Sequence, residues 1–171
     1  QAAIDRFRLH RALLGLEPQD SDARPGRCYA EAASLRLAPG ETAWCCELVT
    51  HRDGRILDPT AGHISTKESA ALVEALNAEL GSEARRWEVG SGAHHVFVVR
   101  DPLFAQDEQR PVRSPDLLVG QPWRRHLPRG PAGHALHALI EQASKLLDGP
   151  SVNRVRVDLG ENPANMIWLW G

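Results

Sequence analysis

Residues 65–100 read STKESAALVEALNAELGSEARRWEVGSGAHHVFVVR, and this stretch decides the fold class. It opens with the S-x-x-E spacing of a capping box, in which two side chains satisfy backbone donors at a helix start. Leucine and valine then recur at helical spacing until Gly81, which predicts the end of the helix. Residues 85–89 and 95–100 follow, on either side of a Gly-Ser-Gly turn, and each predicts a strand. The stretch therefore predicts a helix and then two strands.

The segments on both sides extend this pattern. Residues 43–51 predict a strand, and Arg52-Asp53-Gly54 predicts a tight turn that returns the chain into a short strand at 55–58. Further along, leucine, isoleucine and alanine share one helical face over 134–148, which predicts the second long helix. In 154–159 valine and leucine alternate with arginine and aspartate, a period of two that is typical of a strand with one face in water.

The predicted order is strand, helix, strand, strand, helix, strand. That order favours an α+β fold, a two-layer sandwich with the ferredoxin-like βαββαβ arrangement, to which a hairpin and terminal segments are added. A short helix is predicted at 4–14, a loop with one helical turn at 17–40, and a long functional or wrapping loop at 101–133. The 171 residues, 42% of them hydrophobic, suffice for one core, so we predict a single domain, 1–171.

Composition and charge argue against two classes of partner. The formal net charge of -2 gives no chain-wide attraction to phosphate backbones, so no nucleic acid is expected. No run of 18 apolar residues is present, so no membrane contact is expected and the cytoplasm is the predicted location. Both ends look cut, because residue 1 is not methionine and the last residue follows the apolar run 166–170. We interpret the chain as a domain excised from a larger protein.

Taken alone, the histidines and cysteines do not identify a reaction. His134 and His137 have a spacing that suits one metal ion, but no third ligand accompanies them in sequence, which favours a polar helix face. His94 and His95 point to opposite faces of a strand, so at most one of them faces a given pocket. The three cysteines are odd in number and two are adjacent, which favours reduced thiols, with Cys46 in the core, over disulfides or a metal knuckle.

Two further features are candidate anion sites. Arg154 and Arg156 share one face of the predicted last strand, where a guanidinium can take a phosphate or carboxylate in a bidentate manner. Solvated strand charges are the commoner explanation of such a pair. Residues 128–133 either present free backbone donors to an anion or form an ordinary helix entry.

Two longer motifs carry a family resemblance. The stretch AGHIS at 61–65 and the ten residues NPANMIWLWG at 162–171 closely resemble archaeal-type, 2,3-bisphosphoglycerate-independent phosphoglycerate mutases. Shorter matches fall in the family's order, namely Glu47-Leu48-Val49-Thr50, Asp53-Gly54, Leu127-Pro128-x-Gly130 and Val152-Asn153-x-x-Arg156-x-x-x-Gly160. The likeness spans nearly the whole chain.

The resemblance implies that catalysis and substrate binding lie in different parts of the parent protein. The family belongs to the alkaline phosphatase superfamily, in which two divalent metal ions activate a Ser or Thr that carries the phosphoryl group between the 2- and 3-positions of glycerate. The metal ligands lie in segments before and after this insert, so the fragment itself is expected to hold no cofactor and no metal, and not to be an enzyme alone. Its implied role is a lid on the substrate side of a glycolytic isomerase. Its implied partners are the metal-binding core domain of the same parent chain and phosphoglycerate or a similar small phosphorylated acid.

The same resemblance points to four ligand contacts. Arg156 would pair with the phosphate or carboxylate, and His95 would hydrogen-bond the migrating group. Asn153 and His63 would shape the pocket. No residue of the chain is expected to be catalytic or to bind a metal.

Several positions depart from the family's pattern. Cys45-Cys46-Glu47 stands where relatives tend to have Arg-Cys-Asn, and Ala93-His94-His95 where they tend to have Tyr-Arg-His, so two candidate phosphate-binding arginines are absent. The family's Pro-Pro-His-Asp loop is Ser114-Pro115-Asp116-Leu117 here, and Arg6 lies near the expected position of a nucleophilic Ser. The departures leave two alternatives: a non-catalytic binding or assembly domain of a degenerate relative, or part of a phosphohydrolase that acts on another small acidic substrate.

Overall fold

The computed structural model describes residues 25–104 and 112–171. The helix predicted at 4–14 and the residue Arg6 lie outside these ranges. The helices and strands are, in chain order, α1 (Pro25–Ala32), β1 (Thr42–Arg52), β2 (Arg55–Asp58), α2 (Thr66–Leu80), β3 (Arg85–Ser91), β4 (His94–Val99), α3 (Pro131–Leu147), α4 (Ser151–Asp158) and β5 (Met166–Trp170). The described part of the predicted long loop contains the 3-10 turns Pro102–Phe104, Pro115–Leu118 and Trp123–His126. Within the described ranges, no helix has the length and apolar character needed to cross a membrane.

One antiparallel sheet forms the centre of the domain. Strand β1 pairs with β4 through residues 42–47 and with β5 through residues 45–49. Because these two strands pair with the same part of β1, they lie on its opposite edges, and β3 pairs with β4 further out. The order is therefore β5-β1-β4-β3, with helices between β1 and β3 and between β4 and β5. This is the split βαβ arrangement, so the predicted α+β, ferredoxin-like two-layer fold is confirmed.

The added hairpin and the capping box are also present. Strand β2 pairs with the end of β1 across a turn in which Asp53 and Gly54 both have positive φ, the geometry of tight hairpin turns. At the start of α2, the Ser65 hydroxyl accepts from the backbone N–H of Glu68, and the Glu68 carboxylate accepts from the backbone N–H of Ser65. Both features were local enough to be predicted from spacing alone.

The last predicted strand, 154–159, is wrong. Residues 151–158 form the helix α4, and the final strand is β5, the apolar run that contains two tryptophans. The alternation of valine with charged residues predicted that the valines would face the core. In the structure Val155 and Val157 are 53% and 58% exposed.

The buried residues of α4 are polar. Asn153 and Arg156 are 4% and 3% exposed, and their separation of three residues places them on one face of a helix. Arg154 is exposed, so the predicted common face of the two arginines is also wrong. The segment is helical because these two polar side chains find hydrogen-bond partners inside the protein, which a hydrophobic pattern does not reveal.

The two faces of the sheet are covered differently. The inner face packs against α2 and α3 and carries the main core, which includes Trp87 and Phe97. The outer face carries α1, which covers a small apolar cluster on β1 and β4. A Cβ at Gly26 would lie 2.1 Å from the carbonyl oxygen of Ala43, so α1 reaches the sheet this closely only because that residue is glycine. This helix takes the place of the helical turn predicted within 17–40.

Candidate functional site

Residues 60–64 form an unusual turn ahead of α2, which we call the signature turn. Ala61, Gly62 and His63 have consecutive positive φ values of 46°, 66° and 54°. The backbone N–H of Ile64 donates to the carbonyl oxygen of Thr60 at 3.2 Å and closes the turn. Left-handed backbone costs an L-residue with a Cβ roughly 1–2 kcal/mol, so surrounding contacts must hold this conformation.

Asp58 holds the signature turn from one side. Its Oδ1 accepts from the backbone N–H and the hydroxyl of Thr60 at 2.8 and 2.7 Å. Its Oδ2 accepts from the backbone N–H of Gly62 and from Nδ2 of Asn162, both at 2.8 Å. Burial by itself would raise the pKa of Asp58, but these hydrogen bonds outweigh it and lower the pKa to about 2. The carboxylate is therefore charged at any ordinary pH.

Arg156 holds the signature turn from the other side. Its side chain is 3% exposed, and all three guanidinium nitrogens have acceptors within the protein. Nη2 donates to the carbonyl oxygens of Ala61 and Gly62 at 2.8 and 3.3 Å, Nε donates to the carbonyl oxygen of Asn162 at 3.0 Å, and Nη1 lies 2.9 Å from Glu68 and 3.0 Å from Glu161. One side chain thus joins the two motifs that carry the family resemblance, 61–65 and 162–171.

Asn153 and His63 are the other two predicted contacts near these motifs. Asn153 donates through Nδ2 to the carbonyl oxygens of Leu147 and Ala164 at 2.7 and 2.9 Å, and its Oδ1 accepts from the backbone N–H of Ala164 at 2.9 Å. It therefore ties the end of α3 to the entry of β5. His63 is exposed at the tip of the signature turn. Arg156 binds the turn that carries His63, while Asn153 has a different set of partners.

His95 lies in the core on the inner face of the sheet. It is fully buried, and its Nδ1 accepts from the backbone N–H of Gly90 at 3.1 Å. Its Nε2 has no hydrogen-bond partner among the described residues. Burial, with a smaller contribution from the charge of His94, lowers the pKa of His95 to about 4. His95 is therefore a neutral core histidine, and the predicted opposite orientation of His94 and His95 is confirmed.

A second polar group lies on the outer face of the sheet, and we call it the outer-face cluster. It consists of Glu47, His94, Tyr29 and Trp170, with Asp116 nearby. Oε2 of Glu47 lies 2.5 Å from Nδ1 of His94, and the two side chains are 3% and 55% exposed. The hydrogen bond with Glu47 raises the pKa of His94, and the charges of Glu47 and Asp116 act in the same direction.

Sequence reasoning did not predict the outer-face cluster as a site. A signal was present, since Glu47 is the one charged residue of the stretch from Ala43 to Thr50. In the register of the sheet Glu47 stands opposite His94, so the two side chains share a face. Cys45 lies on that face as well, two residues before Glu47. The sequence departs from the family's pattern at 45–47, 93–95 and 114–117. Residues from all three segments come together in or near the outer-face cluster.

Comparison with known proteins identifies the family. Residues 9–153 match a family described as 2,3-bisphosphoglycerate-independent phosphoglycerate mutase. The chain belongs to this family. It is 38% identical to the mutase of Methanosarcina barkeri over 94% of its own length and 39% of that relative. It is also 38% identical to the mutase of Methanosarcina mazei, over 94% of this chain and 40% of the relative. The chain therefore spans about two fifths of the length of these curated relatives.

Two solved structures share the fold. The cofactor-independent phosphoglycerate mutase from Thermoplasma acidophilum superposes with a TM-score of 0.71 at 27% identity, over 94% of this chain and 44% of that chain. A protein from Pyrococcus horikoshii superposes with a TM-score of 0.61 at 17% identity, over 94% of this chain and 35% of that chain. The second likeness concerns the fold alone.

The remaining candidates are structural. Cys45 and Cys46 are buried on opposite faces of β1, and burial, reinforced by the charge of Glu47, raises the pKa of both thiols. Neither is therefore an activated nucleophile. His137 accepts from Nε of Arg124 at 2.9 Å and stacks on Trp123, so the predicted polar helix face is confirmed.

The two divalent ions of the phosphoglycerate mutase family have no ligand set in the described part of this chain. No three His, Cys, Asp or Glu side chains in residues 25–104 and 112–171 are grouped so that they could hold one metal ion. The fold is instead held by its own apolar core and by the hydrogen bonds of Asp58, Asn153 and Arg156.

We expect chelators to leave the thermal unfolding midpoint of this domain unchanged, because no described ligand cluster ties its elements together. The measurement is a thermal melt of the purified chain, followed by circular dichroism, before and after dialysis against EDTA. A fall of many degrees that added zinc or manganese reverses would show that a structural metal site contributes to folding.

Proposed function

We propose that this chain is the substrate-side domain of a 2,3-bisphosphoglycerate-independent phosphoglycerate mutase. In this proposal it closes as a lid over a metal-binding core of the same parent chain and does not catalyse alone. The observation that carries the proposal is the signature turn. Three consecutive residues with positive φ are held by a charged carboxylate and a buried guanidinium, and strained backbone of this kind is typical of functional sites.

The candidate ligand contacts take different roles in this proposal. His63 is the ligand-contacting residue, because it is exposed at the tip of the signature turn. Arg156 and Asn153 are positioning residues, since their donors are engaged within the protein. His95 supports the β3–β4 turn, and that turn is fixed to α2 by the hydrogen bond from the backbone N–H of Gly92 to the Thr66 hydroxyl at 3.0 Å.

The chemistry belongs to the parent core in this proposal. Interconversion of 2- and 3-phosphoglycerate depends on positive charge at the transferring phosphoryl group, which the two metal ions of the core supply when bound. This domain orients phosphoglycerate, or a similar small phosphorylated acid, and excludes water from it. The cytoplasm, where such acids occur, is part of the same proposal.

We expect the purified chain to show no mutase and no phosphatase turnover with either phosphoglycerate, with or without Mn²⁺ or Mg²⁺. We also expect it to bind 3-phosphoglycerate weakly, because a lone exposed contact contributes on the order of 1 kcal/mol. Millimolar affinity corresponds to about 4 kcal/mol in total and is the upper limit we expect. Amide chemical shifts in an NMR titration would report this binding, and the shifts should centre on residues 60–64.

The matched controls are two histidine variants. His63→Ala should abolish the amide shifts, whereas His134→Ala, which changes an exposed histidine on α3, should leave them intact. Metal-stimulated turnover by the purified chain would contradict the lid proposal.

A binding or assembly domain without a catalytic role is the second candidate. Two observations favour it: Arg156 has no unsatisfied nitrogen to offer an anion, and the outer-face cluster places Glu47 and Asp116 beside a single imidazole. Unchanged amide shifts in the wild-type chain and in both variants would support this candidate.

A further inference from the structure

We propose that His94, oriented by Glu47, is a proton-exchanging residue of this domain and that it binds a hydroxyl group of the ligand. The inference rests on the proposed function for the nature of the ligand, a small phosphorylated hydroxy acid. The geometry of the outer-face cluster supplies the rest of the argument.

Glu47 is fixed in place by its donors. Its Oε2 lies 2.5 Å from Nδ1 of His94, and its Oε1 accepts from Nε1 of Trp170 at 3.3 Å. The Tyr29 ring lies edge-on to both His94 and Trp170, with ring centroids 6.3 and 6.1 Å apart. Because the side chain is 3% exposed and its two partners come from different strands, β4 and β5, the carboxyl group is held against the imidazole.

This arrangement determines which nitrogen of His94 is available. A carboxylate only accepts, so the nitrogen that faces it, Nδ1, carries the proton of the neutral imidazole. Nε2 is then left with a free lone pair. The side chain is 55% exposed, and no described residue forms a hydrogen bond with Nε2. A carboxylate that fixes the tautomer and leaves Nε2 accessible is the arrangement by which histidine takes a proton from a hydroxyl.

The charges around His94 favour a hydroxyl over a phosphate as its partner. The titratable groups on its side of the sheet are Glu47 and Cys45 from β1, Tyr29 from α1 and Asp116 from a 3-10 turn, whereas the neutral His95 points to the opposite face. Two of these groups are carboxylates, and none is an arginine or lysine. A phosphate would have to approach both carboxylates, which like-charge repulsion opposes. A hydroxyl has no charge and offers the proton that Nε2 accepts.

The proton exchange balances within the cluster. The O–H bond of the ligand breaks, an N–H bond forms at Nε2, and the electron pair stays on the ligand oxygen. The proton on Nδ1 remains hydrogen-bonded to Glu47, so the new imidazolium faces a carboxylate. The ligand oxygen takes a proton back from water, and the hydroxide that this leaves takes the proton from Nε2, so the exchange closes with no net change of charge. The interaction with Glu47 raises the pKa of His94, so the residue is an acceptor above that pKa and a donor below it.

The first part of the test examines the imidazole itself. In long-range ¹H–¹⁵N NMR spectra of the purified chain, we expect the neutral form of His94 to carry its proton on Nδ1. In Glu47→Gln we expect the midpoint of the His94 titration to move to lower pH, because the neighbouring negative charge is removed. A neutral form protonated on Nε2, or a titration midpoint unchanged in the variant, would overturn the inference.

The second part uses two ligands that differ in one group. At a pH above the His94 midpoint, 3-phosphoglycerate should shift the Nε2 signal, whereas its 2-deoxy analogue, 3-phosphooxypropanoate, should not. Both ligands should shift the amides of the signature turn, and His94→Gln should retain those amide shifts. Equal shifts of Nε2 with both ligands, or none with either while the signature turn responds, would overturn this inference alone. If neither ligand shifted the Nε2 signal of His94 or the amides of the signature turn, both this inference and the proposed function would be overturned.

Discussion

We expect Arg156→Ala to lower the free energy of unfolding by about 3–5 kcal/mol, the usual cost of removing one partner from a buried charged network. The substitution leaves the carbonyl oxygens of Ala61, Gly62 and Asn162 without their donor and removes the positive charge beside Glu68. A domain of this size loses roughly 2–4 °C of its thermal midpoint for each kcal/mol, so the midpoint should fall by about 10 °C. Urea denaturation and a thermal melt would measure both quantities.

Two further variants at α4 make this result specific. Arg154→Ala removes the same side chain from the exposed face of the same helix and should change the stability by less than about 0.5 kcal/mol. Arg156→Lys keeps the charge but lacks the planar fork that reaches several acceptors, so most of the loss should remain. Equal stabilities of the Arg154 and Arg156 variants would contradict a structural role for Arg156.

We expect Trp168→Ala to cost about 3–5 kcal/mol, as large buried aromatic side chains do when they are truncated. Trp168 is fully buried, donates from Nε1 to the carbonyl oxygen of Arg113 at 2.8 Å and packs edge-on against Trp123. The loss should therefore also loosen the segment 112–126, which includes Asp116. Urea denaturation measures the stability, and amide hydrogen exchange measures the protection of that segment.

Trp170→Ala is the matched control for this prediction. Trp170 is two residues along the same strand and faces the same side, but it is only partly buried. Its truncation should cost clearly less and should leave the exchange rates of 112–126 close to those of the wild type. If both variants lost the same stability, burial would not be what distinguishes the two tryptophans of the motif.

The expected effects of Arg156 and Trp168 have a common structural basis. Each side chain ties one of the long sequence motifs to a segment that is distant along the chain. Arg156 fixes the signature turn to the entry of β5, and Trp168 fixes β5 to the loop after β4. The motifs that carried the family resemblance therefore serve mainly to hold the fold together. Within them, His63 is the residue that is both exposed and held by strained backbone.

The missed elements show where sequence patterns fail. Helix α4 was predicted as a strand because Val155 and Val157 are β-branched and alternate with charged residues. Its conformation depends on the burial of Asn153 and Arg156. Polar side chains are buried only where hydrogen-bond partners are available to them. Those partners lie on α3, on the signature turn and at the entry of β5, so they exist only in the folded protein. Tertiary contacts thereby overrode local propensity.

The sequence by itself determined the elements whose signals are local. The capping box at Ser65, the Asp53-Gly54 turn and the apolar stripe of α3 each act within a few residues, and together they sufficed for the α+β order. The tertiary structure decided which polar groups meet. Glu47 and His94 pair because antiparallel register sets them opposite each other, and Arg156 reaches a turn about 95 residues away. Such encounters depend on the packing of the whole chain, which spacing in one dimension does not encode.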